Sequence, residues 1–310
     1  MTTLVASVEL QGHRGARGVL PENSIPGFQN AIAAGADCLE LDIAMTRDGR
    51  VVITHDPVLN PDLVRKDGLW ITEELPVKDL TYEELRSYDI GRLRPGSSYA
   101  QNFPEQQPID GISMPLLSDL LNLPAARDKT SLLYDIEIKT SPEAEDMTFS
   151  PARIADAVIK TIDEAGARKR SRIRSFDWRG LVHVRESAPD IALAFLTSKQ
   201  PWLDNLQIGQ EGRSPWLAGL DIDAFDGSAP RAMHHFNGQI WAPYYKEVTK
   251  QEINVAHELG INVIVWTVND EDAMQKLLAM GVDGITTDYP ALGRKVIDEF
   301  LASQKDYERR

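Results

Sequence analysis

Along most of these 310 residues, short aliphatic and β-branched runs alternate with longer stretches whose apolar residues recur at helical spacing. That alternation is the pattern of parallel strands joined by helices. It predicts strands at 8–13, 38–44, 132–138, 172–176, 191–196, 239–242, 262–267 and 284–287, with helices at 25–34, 151–165, 248–259 and 271–280 among the connections. Gly260 and Gly281 follow the last two helices, where a residue free to adopt positive φ ends a helix. Eight strand-plus-helix units in one domain, residues 1–310, fit a (β/α)8 TIM barrel of the α/β class, for which roughly 250 residues is usual. An open doubly wound sheet is the alternative arrangement.

Two segments break this rhythm. The run 51–55 follows the second strand too closely for a parallel crossover, which needs about a dozen residues. It should fold back as a hairpin through Thr46-Arg47-Asp48-Gly49-Arg50, with Asp-Gly supplying the positive φ angles of a tight turn. From 57 to 131, clusters of Pro, Gly and polar residues predict a small insertion beside the barrel mouth. Thr81 and Glu84 have capping-box spacing there, and a further helix is expected near 116–123. A second long connection, 197–238, carries Trp202 and Trp216 and is expected to overhang the same mouth.

Composition narrows the chemistry. With 33 Lys and Arg against 47 Asp and Glu the net charge is -14, which repels nucleic acid and anionic membranes and requires any anionic substrate to be gripped by a local cationic site. The single Cys38 lies in an apolar run and reads as a buried thiol, not as a disulfide partner or zinc ligand. No apolar run approaches the ~18 residues of a membrane span, and no basic segment precedes Leu4-Val5-Ala6 near the start. The expectation is a chain without an integral membrane segment, cytoplasmic, or alternatively periplasmic or secreted with its leader absent from this chain.

The densest signal is Gly12-His13-Arg14-Gly15 at the end of the first strand, followed by Pro21-Glu22-Asn23-Ser24. Active sites of such barrels form at the C-terminal ends of the strands, which places His13 and Arg14 where chemistry occurs. A histidine suits proton transfer, and a guanidinium fork suits phosphate oxygens. Ser24 and Pro26 also read as a helix start. On the second strand, alternation puts Glu40 and Asp42 on one face, about 7 Å apart, with Leu41 and Ile43 facing the helices. The hairpin would return His55 toward those acids. Glu137 and Lys139 share a face of the third strand, which gives three carboxylates and an ammonium at one mouth. All-oxygen ligation favours Mg²⁺, Ca²⁺ or Mn²⁺ over zinc, and such a cation suits metal-assisted phosphodiester cleavage.

Together with Gly35-Ala36-Asp37, Thr46-Arg47-Asp48-Gly49, His55-Asp56, Trp266-Thr267-Val268-Asn269 and Gly281 through Pro290, these motifs make the sequence resemble the glycerophosphodiester phosphodiesterase family over positions 12 to 290. The resemblance implies a phosphodiesterase barrel with an insertion after His55. It implies metal-dependent hydrolysis of glycerophosphodiesters, small-molecule substrates, to sn-glycerol 3-phosphate and an alcohol. It further implies His13 and His55 as general acid and base, Glu40, Asp42 and Glu137 as ligands of one divalent cation, Mg²⁺ or Ca²⁺, Arg14 and Lys139 as phosphate-binding groups, and Trp266 in the glycerol pocket. The chain departs from the family pattern at Ser24, where threonine is frequent, and in the length of 197–238.

Two other functions fit parts of the pattern. A phospholipase D-type hydrolase acting on lysophospholipid or sphingolipid would show an apolar rim at the mouth, and a non-catalytic barrel could bind a phosphorylated ligand. His183, His234, His235 and His257 read as surface or packing residues, Asp221 and Asp223 as loop or helix caps, and Trp70, Trp178, Trp202, Trp216 and Trp241 as core or lid packing.

Overall fold

The computed structural model describes residues 7–308, so Leu4-Val5-Ala6 lies outside the described residues. Strands β1 (Glu9–Gly12), β2 (Cys38–Met45), β3 (Leu133–Ile138), β4 (Ser171–Ser175), β5 (Ala192–Thr197), β6 (Ile240–Pro243), β7 (Asn262–Val265) and β8 (Gly284–Thr287) pair in parallel in that order. The pairing of β1 with both β2 and β8 closes the barrel. The fold is a (β/α)8 TIM barrel, as the alternating pattern predicts, and closure excludes the open doubly wound sheet. Strands β1 and β7 stop earlier than expected, at Gly12 and Val265, which leaves His13 and Trp266 on the loops beyond them.

Strand alternation divides β2 between two environments. Leu39, Leu41 and Ile43 belong to the main apolar core with Phe28, Leu181 and Trp178, while Glu40 and Asp42 are buried on the other face. Register fixes the acids relative to one another, because Asp42 lies opposite Glu137 and Glu137 opposite Arg174. Within the barrel, Arg174 Nη1 donates to Gln11 Oε1 at 3.2 Å and to Asp135 Oδ2 at 3.3 Å. Cys38 is a buried free thiol, with Arg172 Nη2 3.0 Å from its sulfur.

The return strand Val51–Ile53 pairs antiparallel with β2, Ile43 opposite Ile53. Only Gly49 takes a positive φ, +79°, in the connecting turn. Asp48 instead accepts hydrogen bonds from Thr46 Oγ1 at 2.7 Å and the Tyr82 amide at 3.0 Å, so its side chain and not a left-handed backbone shapes the turn. Residues 57–131 form short strands Arg65–Lys66, Leu69–Trp70 and Tyr88–Asp89 and several short helices, with a separate apolar cluster that includes Leu59, Val64, Val77 and Leu85 packed on Val52. The Thr81–Glu84 capping box is present. The helix expected near 116–123 spans only Leu117–Leu121, because Pro124 starts a new one, Pro124–Asp128. Among the described residues no helix is long and apolar enough to cross a membrane.

The turn after β1 has no room for a side chain at its first glycine. A Cβ on Gly12 would lie 2.5 Å from the Gly15 carbonyl oxygen and 2.8 Å from Ala31 Cβ. Gly12→Ala is therefore expected to lose about 1–3 kcal/mol by overpacking, read as a lower urea midpoint at constant slope.

Candidate active site

His13 is the first residue past β1, and its amide donates to Thr287 O at 2.9 Å, which ties it to the end of β8. Its Nδ1 lies 2.6 Å from Oδ1 of Asp288, the residue that follows β8. Asp288 also accepts two bonds from Arg17, at 2.8 and 3.1 Å, and one from Asn269 Nδ2 at 2.6 Å. The carboxylate partner assigns the proton to Nδ1 and leaves Nε2 bare, 3.8 Å from Glu40 Oε2. Burial and the nearby Arg17 charge lower the His13 pKa to about 4. His55 repeats the device, with Nδ1 2.7 Å from Asp56 Oδ1 and Asn60 Nδ2 donating to the other Asp56 oxygen at 2.8 Å. Burial, then Arg14 and Lys139, lower its pKa too. Burial alone would raise Asp56, but the hydrogen bond and charge of His55 bring it down to about 2.

Glu40, Asp42 and Glu137 converge so that one carboxylate oxygen from each lies within 4.8 Å of the others. Their partners come from both sequence neighbours and distant loops. The Arg14 amide donates to Glu40 Oε2 at 2.9 Å, Asn23 Nδ2 donates to Asp42 Oδ2 at 3.0 Å, and Lys139 Nζ lies 2.7 Å from Glu137 Oε1 and 3.3 Å from Asp42 Oδ1. Compensation is uneven. Burial would raise Asp42, yet Lys139 and Arg14 hold it well below the carboxylate range, while burial and the Asp42 charge push Glu40 up to about 8. A surplus acid in an oxygen-only cluster is the donor set that suits a hard divalent cation.

Arg14 adopts φ +50° and Asn23 φ +51°, backbone geometry that non-glycine residues avoid. The Asn23 amide donating to Arg14 O at 2.9 Å holds the two together. Ser24 caps helix Ile25–Ala33 by accepting from the Gly27 amide at 3.1 Å, as expected, while Glu22 just before it pairs with Arg14 Nη1 at 2.9 Å. The Tyr99 hydroxyl, from 57–131, donates to Glu22 and accepts from Arg17 Nη1 at 3.2 Å; Phe103 lies 4.5 Å beneath the Arg17 guanidinium. His13, Arg14, Glu40, His55, Glu137, Lys139 and Trp266 all line one cavity of about 450 Å³, and Asp42 sits against it through Lys139 and Arg14.

Residues 13–292 match the model of the glycerophosphoryl diester phosphodiesterase family. The chain belongs to this family. A glycerophosphodiester phosphodiesterase of Bacillus altitudinis is 30% identical over 93% of this chain and 97% of its own length. A solved structure from Silicibacter pomeroyi DSS-3, provisionally identified as a glycerophosphoryl diester phosphodiesterase, is 35% identical with a TM-score of 0.84, covering 95% of this chain and 94% of its own. A phosphodiesterase of Oleispira antarctica, solved with its product sn-glycerol-3-phosphate, shares the fold at 20% identity and a TM-score of 0.67, covering 94% and 96%.

One cavity and its wall thus bring together His13, Arg14, Glu40, Asp42, His55, Glu137, Lys139 and Trp266, and other residues join them. Asp288 and Asn269 lie in motifs that carried the resemblance without a role of their own, whereas Arg17, Tyr99 and Arg174 had no sequence signal. His183 and His257 pair with Asp156 and Asp283, and Asp221 caps the turn Ile222–Phe225, as expected of packing and capping residues. Trp178 and Trp241 are buried in the core, but Trp202 and Trp216 line the cavity. In the metal-free protein the His13 imidazole is expected to titrate near 4, so that about 1% is imidazolium at pH 6 and the neutral ring carries its proton on Nδ1. Nitrogen-detected NMR of labelled histidine checks both; a midpoint near 6.5 would contradict the burial of the ring beside Arg17, and a neutral ring protonated on Nε2 would contradict its orientation by Asp288.

Proposed function

We propose that this chain hydrolyses glycerophosphodiesters to sn-glycerol 3-phosphate and an alcohol, with one divalent cation, Mg²⁺ or Ca²⁺, held by Glu40, Asp42 and Glu137. The observation that carries this reading is that two histidines, each oriented through Nδ1 by its own carboxylate, open onto the cavity that holds the acid cluster. When bound, the cation would polarise a phosphoryl oxygen. Arg14 and Lys139 would neutralise the remaining phosphate charge, and Trp266 would line the glycerol pocket. One histidine takes the proton of the attacking water or substrate hydroxyl at its bare Nε2, and the other gives a proton to the leaving alkoxide. The substrate's own negative charge favours the protonated form of that acid. Residues 57–131 belong to the same catalytic unit in this reading, because Tyr99 contacts Glu22 and, at 3.4 Å, Arg14.

Turnover of the choline, ethanolamine and inositol esters, with metal removed and then restored, tests this function. Chelation should abolish release of glycerol 3-phosphate and Mg²⁺ or Ca²⁺ should restore it; full activity in excess chelator, with no metal by elemental analysis, would refute it. Glu40→Gln and Asp42→Asn remove ligand charge at nearly constant volume, so metal affinity and rate should fall together while the thermal transition stays cooperative. His13→Ala and His55→Ala should each slow turnover by at least about 100-fold and leave the cation bound. A nitrophenyl ester, whose leaving group needs little protonation, should rescue the variant lacking the acid far better than the one lacking the base. Equal rescue of both would overturn the division of labour.

A further inference from the structure

The interior of such a barrel is usually filled by branched apolar side chains, and here only part of it is. Ala194, Ile240 and Ile264 on β5, β6 and β7 form a small buried cluster of their own, whereas β2, β3 and β4 bury charge. Register sets those charges in two rows. Asp42, Glu137 and Arg174 lie side by side, and Glu40, Asp135 and Arg172 form the next row toward the strand N-termini. Glu9 answers Arg172 with two bonds, at 2.9 and 2.5 Å. Arg174 has no carboxylate to itself: its Nη1 bonds to Gln11 and Asp135 are 3.2 and 3.3 Å long, and its Nε has no hydrogen-bond partner. Asp135 is shared, accepting from Gln11 Nε2 at 2.9 Å with Arg172 Nη2 3.9 Å away. Building on the metal site proposed above, we propose that Arg174 is a positioning residue for that site. It is a resident cation that holds the carboxylates together when no ion is bound and weakens their grip on a divalent ion, so that the ion exchanges.

Arg174 reaches the cavity that Glu40 and Glu137 line, and it is buried together with Asp135 and the three cluster acids, so little water screens one from another. Burial would lower the Arg174 pKa, but Asp135 and then Glu40, Glu137 and Asp42 raise it, so its charge is felt beyond Asp135 by all three acids. An ion held by those acids meets the same charge as repulsion. The count of ligand charge sets how tightly such sites hold a hard cation, and a fixed positive charge beside the ligands subtracts from it. Lys139 and Arg14 touch the same acids from the mouth, where the proposed function gives them the phosphate. Arg174 is anchored inside the barrel by Gln11 and Asp135, and its charge stays beneath the acids through each turnover.

Calorimetric titration of the chelator-treated full-length protein with Mg²⁺, and separately with Ca²⁺, tests this without turnover. It is run at about pH 9, above the Glu40 pKa of about 8, so that proton release does not mask the effect. Arg174→Gln should bind the ion at least about tenfold more tightly than the wild type, and Arg174→Lys, which keeps the charge, should stay within about threefold of it. Asp135→Asn leaves the guanidinium uncompensated and should weaken binding by at least about fivefold. The double variant Arg174→Gln/Asp135→Asn should return to within about threefold of the wild type, because the two charges cancel; a purely structural role would make it bind worse than either single variant. Unchanged or weaker binding in Arg174→Gln overturns the proposal. If that variant does not fold, Asp135→Asn and the double variant decide: weakening that the second substitution restores supports the resident cation, and weakening that persists overturns it. Loss of glycerol 3-phosphate affinity in Arg174→Gln with ion affinity unchanged would make Arg174 a phosphate-binding group and overturn the proposal. No ion binding to the wild type would refute the metal site and the proposal with it, whereas wild-type binding that Arg174→Gln leaves unchanged refutes the proposal alone.

Discussion

Three buried carboxylates at one barrel mouth are the constraint around which the rest of the site is arranged. Burying a charge without a partner costs several kcal/mol, and like charges within 5 Å or so add to that. The barrel gives the acids no freedom to separate, because register sets Asp42 opposite Glu137 and alternation sets Glu40 on the same face as Asp42. The response is local. Lys139, two residues beyond Glu137, reaches back to both Glu137 and Asp42, and the β1 turn brings the Arg14 amide and guanidinium to Glu40 and Asp42. The rise of Glu40 to about 8 marks where that compensation stops, and a divalent cation would complete it.

The same turn explains why strained backbone is concentrated here. Arg14, in a left-handed conformation, serves Glu40 with its amide and Asp42 with its side chain, and Gly12 and Gly15 make room for that bend. The turn also carries His13, so the acid cluster and this imidazole share one rigid support. Arg17 and Asp288 then fix the imidazole from the far side. Residues 57–131 close the arrangement through Tyr99 and Phe103, which hold Arg14, Arg17 and Glu22 from outside the barrel.

What was legible in the sequence was whatever depends on short-range order. The eight strands follow from apolar runs, the acid pair of β2 from alternation, and the hairpin that returns His55 from an interval too short for a crossover. The partners that depend on closure were not legible as such. Asp288 lies 275 residues from His13 and becomes its neighbour only when β8 pairs with β1. Tyr99 sits in a short helix without strong periodicity, and its role arises from where 57–131 folds back. For the tryptophans the pattern placed Trp202 and Trp216 over the mouth but went no further, because composition cannot tell a ring packed beneath a lid from one that walls a cavity. Trp178 and Trp202 look alike in sequence, yet one is fully buried and the other is at the rim.

In the proposed function the carboxylates of Glu40, Asp42 and Glu137 would hold one divalent cation in the cavity that both histidines face. Anomalous diffraction from crystals grown with Mn²⁺ measures this directly. A single strong peak bonded to one oxygen from each of the three carboxylates is expected, lost in Asp42→Asn crystals of unchanged fold. A peak ligated by His13 or His55 in place of the carboxylates, or no peak at this cluster at saturating Mn²⁺, would contradict it.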